Sequence, residues 1–364
     1  MAALVLALLV GPAAPVSIEL AITSKVALKG DLEDLLTFGL LKEMTCDAHG
    51  NIFSPSNRKY GDAISSIVRF PHDASTYEKF SIDGLPSLDD GTITDFEVEP
   101  DDDVYVLARE VLKYSEVEVP LEFGKNFIVH YARDGAAPSQ LRLKIDTKDF
   151  TPAGFAVLKN NQYLVVGYRQ AKGKTFIIAE LFQANGALGA RVELNPNGTK
   201  TSNSERVGSA RVYQPIAITA NGLVYVMRGT TTEPVYVLSE TGQLLRTIQL
   251  EPTGLEFDSP KILGDDLIVS AHDPSLTEPG VRDPKTGMYI LRGPPRRNFP
   301  VFSLGTGQIV VKYYLREYAF GLACYAPGSL TFIGQDLSTN PSGWAIFEAA
   351  PASPANARHP ATGN

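Results

Sequence analysis

Six polar residues stand at equivalent places in this chain. Asn57, Arg109, Tyr168, Arg228, His272 and Gln335 each lie five positions after the first residue of a short apolar segment, those segments starting at Ile52, Val104, Tyr163, Leu223, Leu267 and Leu330. Arg58 and Arg169 sit beside two of them. If the six segments surround a common axis, these side chains form a polar collar at its mouth. Guanidinium groups offer planar, bidentate hydrogen bonds, so such a collar suits a small anionic ligand, a carboxylate or phosphate, or a sugar. The plainer reading is that strands emerging into solvent acquire polar residues, long cationic ones above all.

Groups able to do acid–base work are sparse, and no catalytic residue is assigned. His272-Asp273 offers a base and an orienting carboxylate, but neighbours on a strand point to opposite faces, so the pair works only if the strand has ended. His49 and His72 fall in turn or loop contexts, and His130 falls within a strand. No G-x-S-x-G, H-E-x-x-H or glycine-rich phosphate cradle occurs. The acidic runs Asp89-Asp90 and Glu99-Pro-Asp-Asp-Asp103 present hard oxygen ligands suited to Ca²⁺ and read equally as solvated turns, so no cofactor or metal is expected. Asn197-Gly-Thr199 is a glycosylation sequon, relevant to a eukaryotic secretory route.

The elements that would position these residues are repeated antiparallel units. One ten-residue phrase occurs three times, starting at Asn185, Thr241 and Thr306, with glycine second and leucine tenth. A glycine after a small polar residue marks a tight hairpin needing positive φ, and the residues beyond it read as the returning strand. The six apolar segments recur at 44 (267 − 223) to 63 (330 − 267) residues, most after turn residues such as His49-Gly-Asn51 and Asn221-Gly222. Each is followed by a second strand, at Ile64–Phe70, Phe127–Tyr131, Thr175–Leu181, Val235–Leu238, Met288–Leu291 and Trp344–Phe347.

This pattern predicts an all-β fold: a six-bladed β-propeller of four-stranded antiparallel blades. The last unit lacks an outer strand, and the unassigned β-like segment Val16–Leu28 supplies it, closing the ring. A solenoid would have shorter, more regular repeats, and a sandwich would not explain six copies of one unit. Leu32–Glu43 reads as helix or strand equally well. Cys46 and Cys324 are too few for a disulfide framework and lack metal spacing. Each precedes the start of its apolar segment by six residues (52 − 46 and 330 − 324), so ring closure brings them together, as buried thiols rather than a bonded pair.

Asp47-Ala-His-Gly-Asn-Ile-Phe53 resembles the D-x-x-G-N-[IL]-[YF] core of NHL-type repeats, with a looser echo in Thr219-Ala-Asn-Gly-Leu-Val-Tyr225, and the whole pattern is similar to bacterial exported six-bladed propellers. The resemblance implies a fold and a tendency to bind other molecules. Its members include protein-binding scaffolds as well as lyases and lactonases, so it does not choose an activity.

The net charge of −8 and pI near 5.3 leave no basic footprint for nucleic acid. Residues 1–15 carry an apolar run of signal-peptide length, too short to span a membrane, residues 16–350 form the propeller, and the Pro/Ala-rich 351–364 is a disordered tail. A periplasmic or secreted monomer follows. Its long connections (Ser54–Ala63, Arg109–Lys125, Asn195–Tyr213, Ala271–Gly287 and Gln335–Gly343) gather on one face, where binding sites usually lie. The expectation is an exported binding or interaction module using that face and the channel mouth. The alternatives are a propeller lyase or hydrolase of a small anionic or sugar substrate, and a structural or envelope-assembly role.

Overall fold

The computed structural model describes residues 15–28, 30, 32, 44–57, 64–114, 120–146, 149–200, 215–229, 233–272, 281–282, 289–290, 297–315, 321–326, 328–336 and 343–352. Arg58, Asp273, residues 1–14, nearly all of 32–43 and the tail from 353 lie outside them, as do the side chains of Asn57, His272 and Gln335.

The first strand, β1 (Val16–Ala27), belongs to the last sheet of the chain. Four units follow, each a sheet whose main strands pair antiparallel in chain order. The first is β2 (Thr45–Cys46), β3 (Ile52–Asn57), β4 (Ile64–Phe70) and β5 (Glu78–Ser81). The second is β6 (Thr92–Val98), β7 (Val104–Tyr114), β8 (Pro120–Tyr131) and β9 (Ser139–Leu143). The third is β10 (Thr151–Leu158), β11 (Gln162–Ala171), β12 (Lys174–Phe182) and β13 (Leu188–Glu193), with β14 (Thr199–Lys200) added to β12. The fourth is β15 (Ile216–Ala220), β16 (Leu223–Met227), β17 (Val235–Ser239) and β18 (Leu244–Ile248). Next come β19 (Glu256–Leu263), β20 (Asp266–His272), the small ribbon β21 (Val281–Arg282) with β22 (Tyr289–Ile290), then β23 (Arg297–Ser303) and β24 (Ile309–Leu315). The last strands are β25 (Gly321–Ala326), β26 (Ser329–Asp336) and β27 (Gly343–Pro351).

The six apolar segments of the repeat are β3, β7, β11, β16, β20 and β26, each paired antiparallel with the strand just before it in the chain. They read as continuous apolar runs rather than alternating ones because both faces are covered: Val104, Tyr105, Val106, Leu107 and Ala108 are all buried. The core lies between sheets. Phe53 and Ile67 of the first unit pack with Val106 and Val129 of the second, and Leu164 and Val166 of the third pack with Val226 and Leu238 of the fourth.

In place of six separate sheets there are four blades and one curled eight-stranded sheet in the order β19-β20-β23-β24-β1-β27-β26-β25. The cause is the length of β1. Leu20–Ala27 pairs antiparallel with β27, Lys25 opposite Phe347 and Val26 opposite Ile346. Val16–Glu19 runs on to pair in parallel with Val311–Tyr314 of β24. An unpaired edge would leave backbone donors and acceptors open, and the overhang of β1 covers that of β24.

The glycines of the threefold phrase, Gly186, Gly242 and Gly307, all adopt φ 74° in the hairpin between third and fourth strands. Two of them also dock on the preceding unit: Lys144 N–H donates to the Gly186 carbonyl at 3.0 Å and Glu251 N–H to that of Gly307 at 2.8 Å.

Cys46 and Cys324 form a disulfide with Cα atoms 5.5 Å apart, across 278 positions of sequence. The two cysteines meet, but the expectation of two free thiols is corrected. β2 and β25 pack directly on each other, inside the Cα separation of about 7 Å that a bridge requires.

Candidate functional site

The strands β2, β6, β10, β15, β19 and β25 each stand at one edge of their sheet. Among these strands β6 packs on β10, β10 on β15, β15 on β19, β19 on β25 and β25 on β2. They border a cavity of about 550 Å³, with Asp47 just after β2, Glu97 on β6, Phe155 on β10, Thr219 on β15, Lys261 on β19 and Tyr325 on β25. Val98, Thr219, Ile262 and Ala326 border it just before their strands turn back. The cavity therefore opens at the end of the short first turns, opposite to the end expected from the long connections.

β6 carries Asp95 and Glu97 on one side, because alternate strand residues share a face, and Glu99 follows in the same spacing. The carboxylates face β10, whose outward N–H groups have no strand to pair with on that side. Asp95 accepts the Phe155 N–H at 2.9 Å, and Glu97 accepts that of Val157. Burial pushes the Glu97 carboxyl up to about 8, against the lowering pull of hydrogen bonds with Thr219 and Val157, while Glu99 and Asp95 add repulsion. Burial, with Asp101 and Asp103, raises Glu99 as well. Glu97 thus holds a proton at neutral pH. From β19, Lys261 Nζ donates to the Met44 carbonyl just before β2.

At Asp47 the NHL-like motif has a local role. Its carboxylate accepts the N–H groups of His49 and Asn51, both at 2.9 Å, and the Asn51 amide at 2.7 Å, locking the turn. Burial works to raise this carboxyl, but the Asn51 and His49 hydrogen bonds and the Arg69 charge outweigh it and hold it below its ordinary value. On the same rim His72 Nδ1 lies 2.8 Å from Glu348 Oε1, and its Nε2 lies 3.8 Å from Cys324 Sγ.

Of the collar expected from the sequence, Arg109, Tyr168, Arg169 and Arg228 do not line this cavity. Arg109 Nε donates to Thr94 Oγ1 at 2.9 Å and its guanidinium lies 4.0 Å above the Phe123 ring. Burial pulls it down to about 10, opposed electrostatically by Tyr168. Arg169 binds Glu193 at 2.8 Å and Asp149 at 3.5 Å, over the Phe176 ring at 4.6 Å. Its position just beyond the strand predicts an exposed edge for Arg228. Instead it is 4% exposed and ion-paired with Glu233, because the chain folds back five residues on. Asn57 and His272 end β3 and β20, opposite Ile64 and Glu256, and Gln335 lies opposite Trp344 near the end of β26.

The remaining histidines and acids serve the turns. His130 binds Asp103 at 2.6 Å and stacks on Tyr105 at 4.3 Å. Asp102, buried and with φ 71°, faces Arg69, Arg133 and His49 at 3.5 to 3.8 Å. Asp89 accepts the Gly84 N–H at 3.0 Å. Sequence reasoning missed Glu97, Lys261 and Glu348. The alternation Asp95-Phe-Glu97-Val-Glu99 was the available signal, an inner strand with acids on one face.

No family model matches this chain, and no curated protein matches it. Among solved structures it is similar to a protein of unknown function from Dyadobacter fermentans DSM 18053, at 9% identity and TM-score 0.52 over 92% of this chain and 99% of that one. It is also similar to a Trypanosoma rangeli sialidase, at 10% identity and TM-score 0.47 over 90% of this chain and 58% of that one. A Fusarium graminearum α-L-arabinofuranosidase stands at 10% identity and TM-score 0.46 over 90% and 98%. The first of these likenesses concerns the fold alone; the sheets of this chain are themselves those of an all-β propeller of antiparallel blades. Among the described residues no helix is long and apolar enough to cross a membrane.

Proposed function

We propose that the protein is an exported, monomeric, six-bladed propeller that binds a small, hydroxyl-rich, sugar-like ligand at the short-turn end of its channel. The observation that carries this is the cavity of about 550 Å³ to which the inner strands of all six units contribute, a size suited to a small molecule. Six-blade closure is supported by the core clusters, which join consecutive units and then the last to the first: Ala323, Ile333 and Ile346 pack with Ile52, Val68 and Phe70. On this reading the eight-stranded sheet is two blades that share β1. Export is supported by the Cys46–Cys324 disulfide, since such bonds persist in oxidising compartments.

The lining argues for the ligand class. Protonated Glu97, Thr219, Thr331, Ser329 and Tyr325 are neutral donors and acceptors suited to hydroxyl groups. The arginines that would have received an anion at the other end are engaged within the protein. Calorimetric titration with a panel of neutral and acidic mono- and oligosaccharides tests this. Binding should be weakened at least about tenfold by Thr219→Val, which removes one hydrogen bond (about 1.5 kcal/mol), and unchanged by Arg169→Ala. Binding lost only in the arginine variant, or no sugar binding at all, would reject it. Because Glu97 carries a proton at neutral pH, the same pocket could donate one to a glycosidic oxygen. Turnover of the bound sugar that disappears in Glu97→Gln would make the protein a hydrolase.

A further inference from the structure

Cys46, His72 and Cys324 come from three different strands or turns, and their candidate ligand atoms all lie within 4.8 Å of one another. All three line the central cavity, as does Glu348. Glu348 Oε1 accepts from His72 Nδ1 at 2.8 Å, so in the neutral imidazole Nδ1 is the nitrogen that carries the hydrogen and Nε2 the one that keeps the lone pair. That lone pair faces the cysteines, with Nε2 3.8 Å from Cys324 Sγ. A carboxylate behind a histidine is the arrangement that orients imidazole as a metal ligand.

We propose that in its dithiol state this cluster is a Cys₂His site for a thiophilic divalent cation such as Zn²⁺, with the fourth position open to the cavity. The redox balance is simple. A dithiol donor passes two electrons and two protons to the Cys46–Cys324 bond, which breaks to two thiols while the donor becomes its disulfide. The cation then displaces both thiol protons into solvent and takes two thiolates and His72 Nε2. Oxidation by a disulfide of the same class reverses the process and releases the ion. On a tetrahedral zinc, sulfur and nitrogen ligands stand about 3.6 Å apart, close to the 3.8 Å found between His72 and Cys324. Two sulfurs stand about 3.8 Å apart, which side-chain rotation supplies from a Cα separation of 5.5 Å. Two thiolates and one imidazole with an open position suit zinc better than the hard cations taken by carboxylates. The proposal does not depend on the sugar reading, because the ligand geometry is independent of what else the cavity holds.

The test uses the full chain, reduced with a phosphine, freed of reductant under inert gas and titrated with Co²⁺ as a spectroscopic probe. The expected result is a thiolate-to-cobalt charge-transfer band that saturates at one equivalent and is displaced by Zn²⁺. The band should be absent from the oxidised chain and from reduced Cys46→Ser. His72→Ala should weaken binding at least about tenfold and Glu348→Gln by about 10–100-fold, while His49→Ala leaves it unchanged. Three results would overturn the proposal: no band from reduced chain that keeps its β-sheet circular dichroism, loss of that dichroism on reduction, or His72→Ala binding Co²⁺ as tightly as the native chain.

Discussion

Arg228 and Glu233 form an ion pair across the connection between β16 and β17, and both side chains are almost wholly buried, at 4% and 5% exposure. Removing one partner leaves the other charge buried and uncompensated, which costs more than the pair itself contributes. Arg228→Ala should therefore lose about 3–5 kcal/mol in urea denaturation, and the Arg228→Ala/Glu233→Ala double variant should recover part of it. A solvated collar arginine would instead change stability by no more than about 0.5 kcal/mol.

Glu97 makes stability depend on pH in an unusual direction. Its carboxyl stands at about 8 in the folded state against an ordinary 4.5, so between those values the folded protein holds a proton that the unfolded chain has released. Stability from this group is fully present below the ordinary value and is lost as pH rises through the folded one. Glu97→Gln keeps an acceptor for the Val157 N–H and cannot ionise. Urea midpoints at about pH 5 and about pH 9 should show a smaller decline for the variant than for the native chain.

The three phrase glycines share φ 74° but differ in surroundings. A Cβ on Gly307 would lie 2.0 Å from the Gln249 carbonyl oxygen and one on Gly186 2.1 Å from that of Arg142, whereas on Gly242 it would meet side chains, Leu164 at 3.3 Å and Leu181 at 3.7 Å. Gly242→Ala should cost about 1–2 kcal/mol for the left-handed backbone alone. Gly186→Ala and Gly307→Ala should cost distinctly more, since backbone must move, and thermal unfolding of the three variants gives the ranking.

Closure through β1 is tested by two substitutions on one strand. Leu20 is 4% exposed and packs with Phe299, Phe332 and Phe347 from both halves of the eight-stranded sheet, while Val16 is 62% exposed. Leu20→Ala should destabilise by about 2–5 kcal/mol and Val16→Ala by less than about 0.5. Equal, small effects in denaturant titrations would mean that β1 does not hold the sheet together.

The sequence by itself determined most of the strands and their turns, because period, apolar runs and hairpin glycines act over a few residues. The exception is Met288–Leu291, read as the strand following the Leu267 segment, since β20 pairs instead with Arg297–Ser303 of β23 while Tyr289–Ile290 pairs with Val281–Arg282. The second strands β3, β7, β11, β16, β20 and β26 were legible this way, as were the turns at Gly186, Gly242 and Gly307. Counting strands per unit even led Val16–Leu28 to β27, and matching offsets brought Cys46 to Cys324. Only the tertiary structure decided that those cysteines are bonded and that β1 overhangs onto β24. It also turned Arg228 inward to Glu233 and opened the cavity at the short-turn end. The reason is one of range. Whether two inner strands stand within bonding distance, or which end of a channel is wide, depends on how sheets far apart in sequence tilt and pack, and no local pattern of residues encodes that distance.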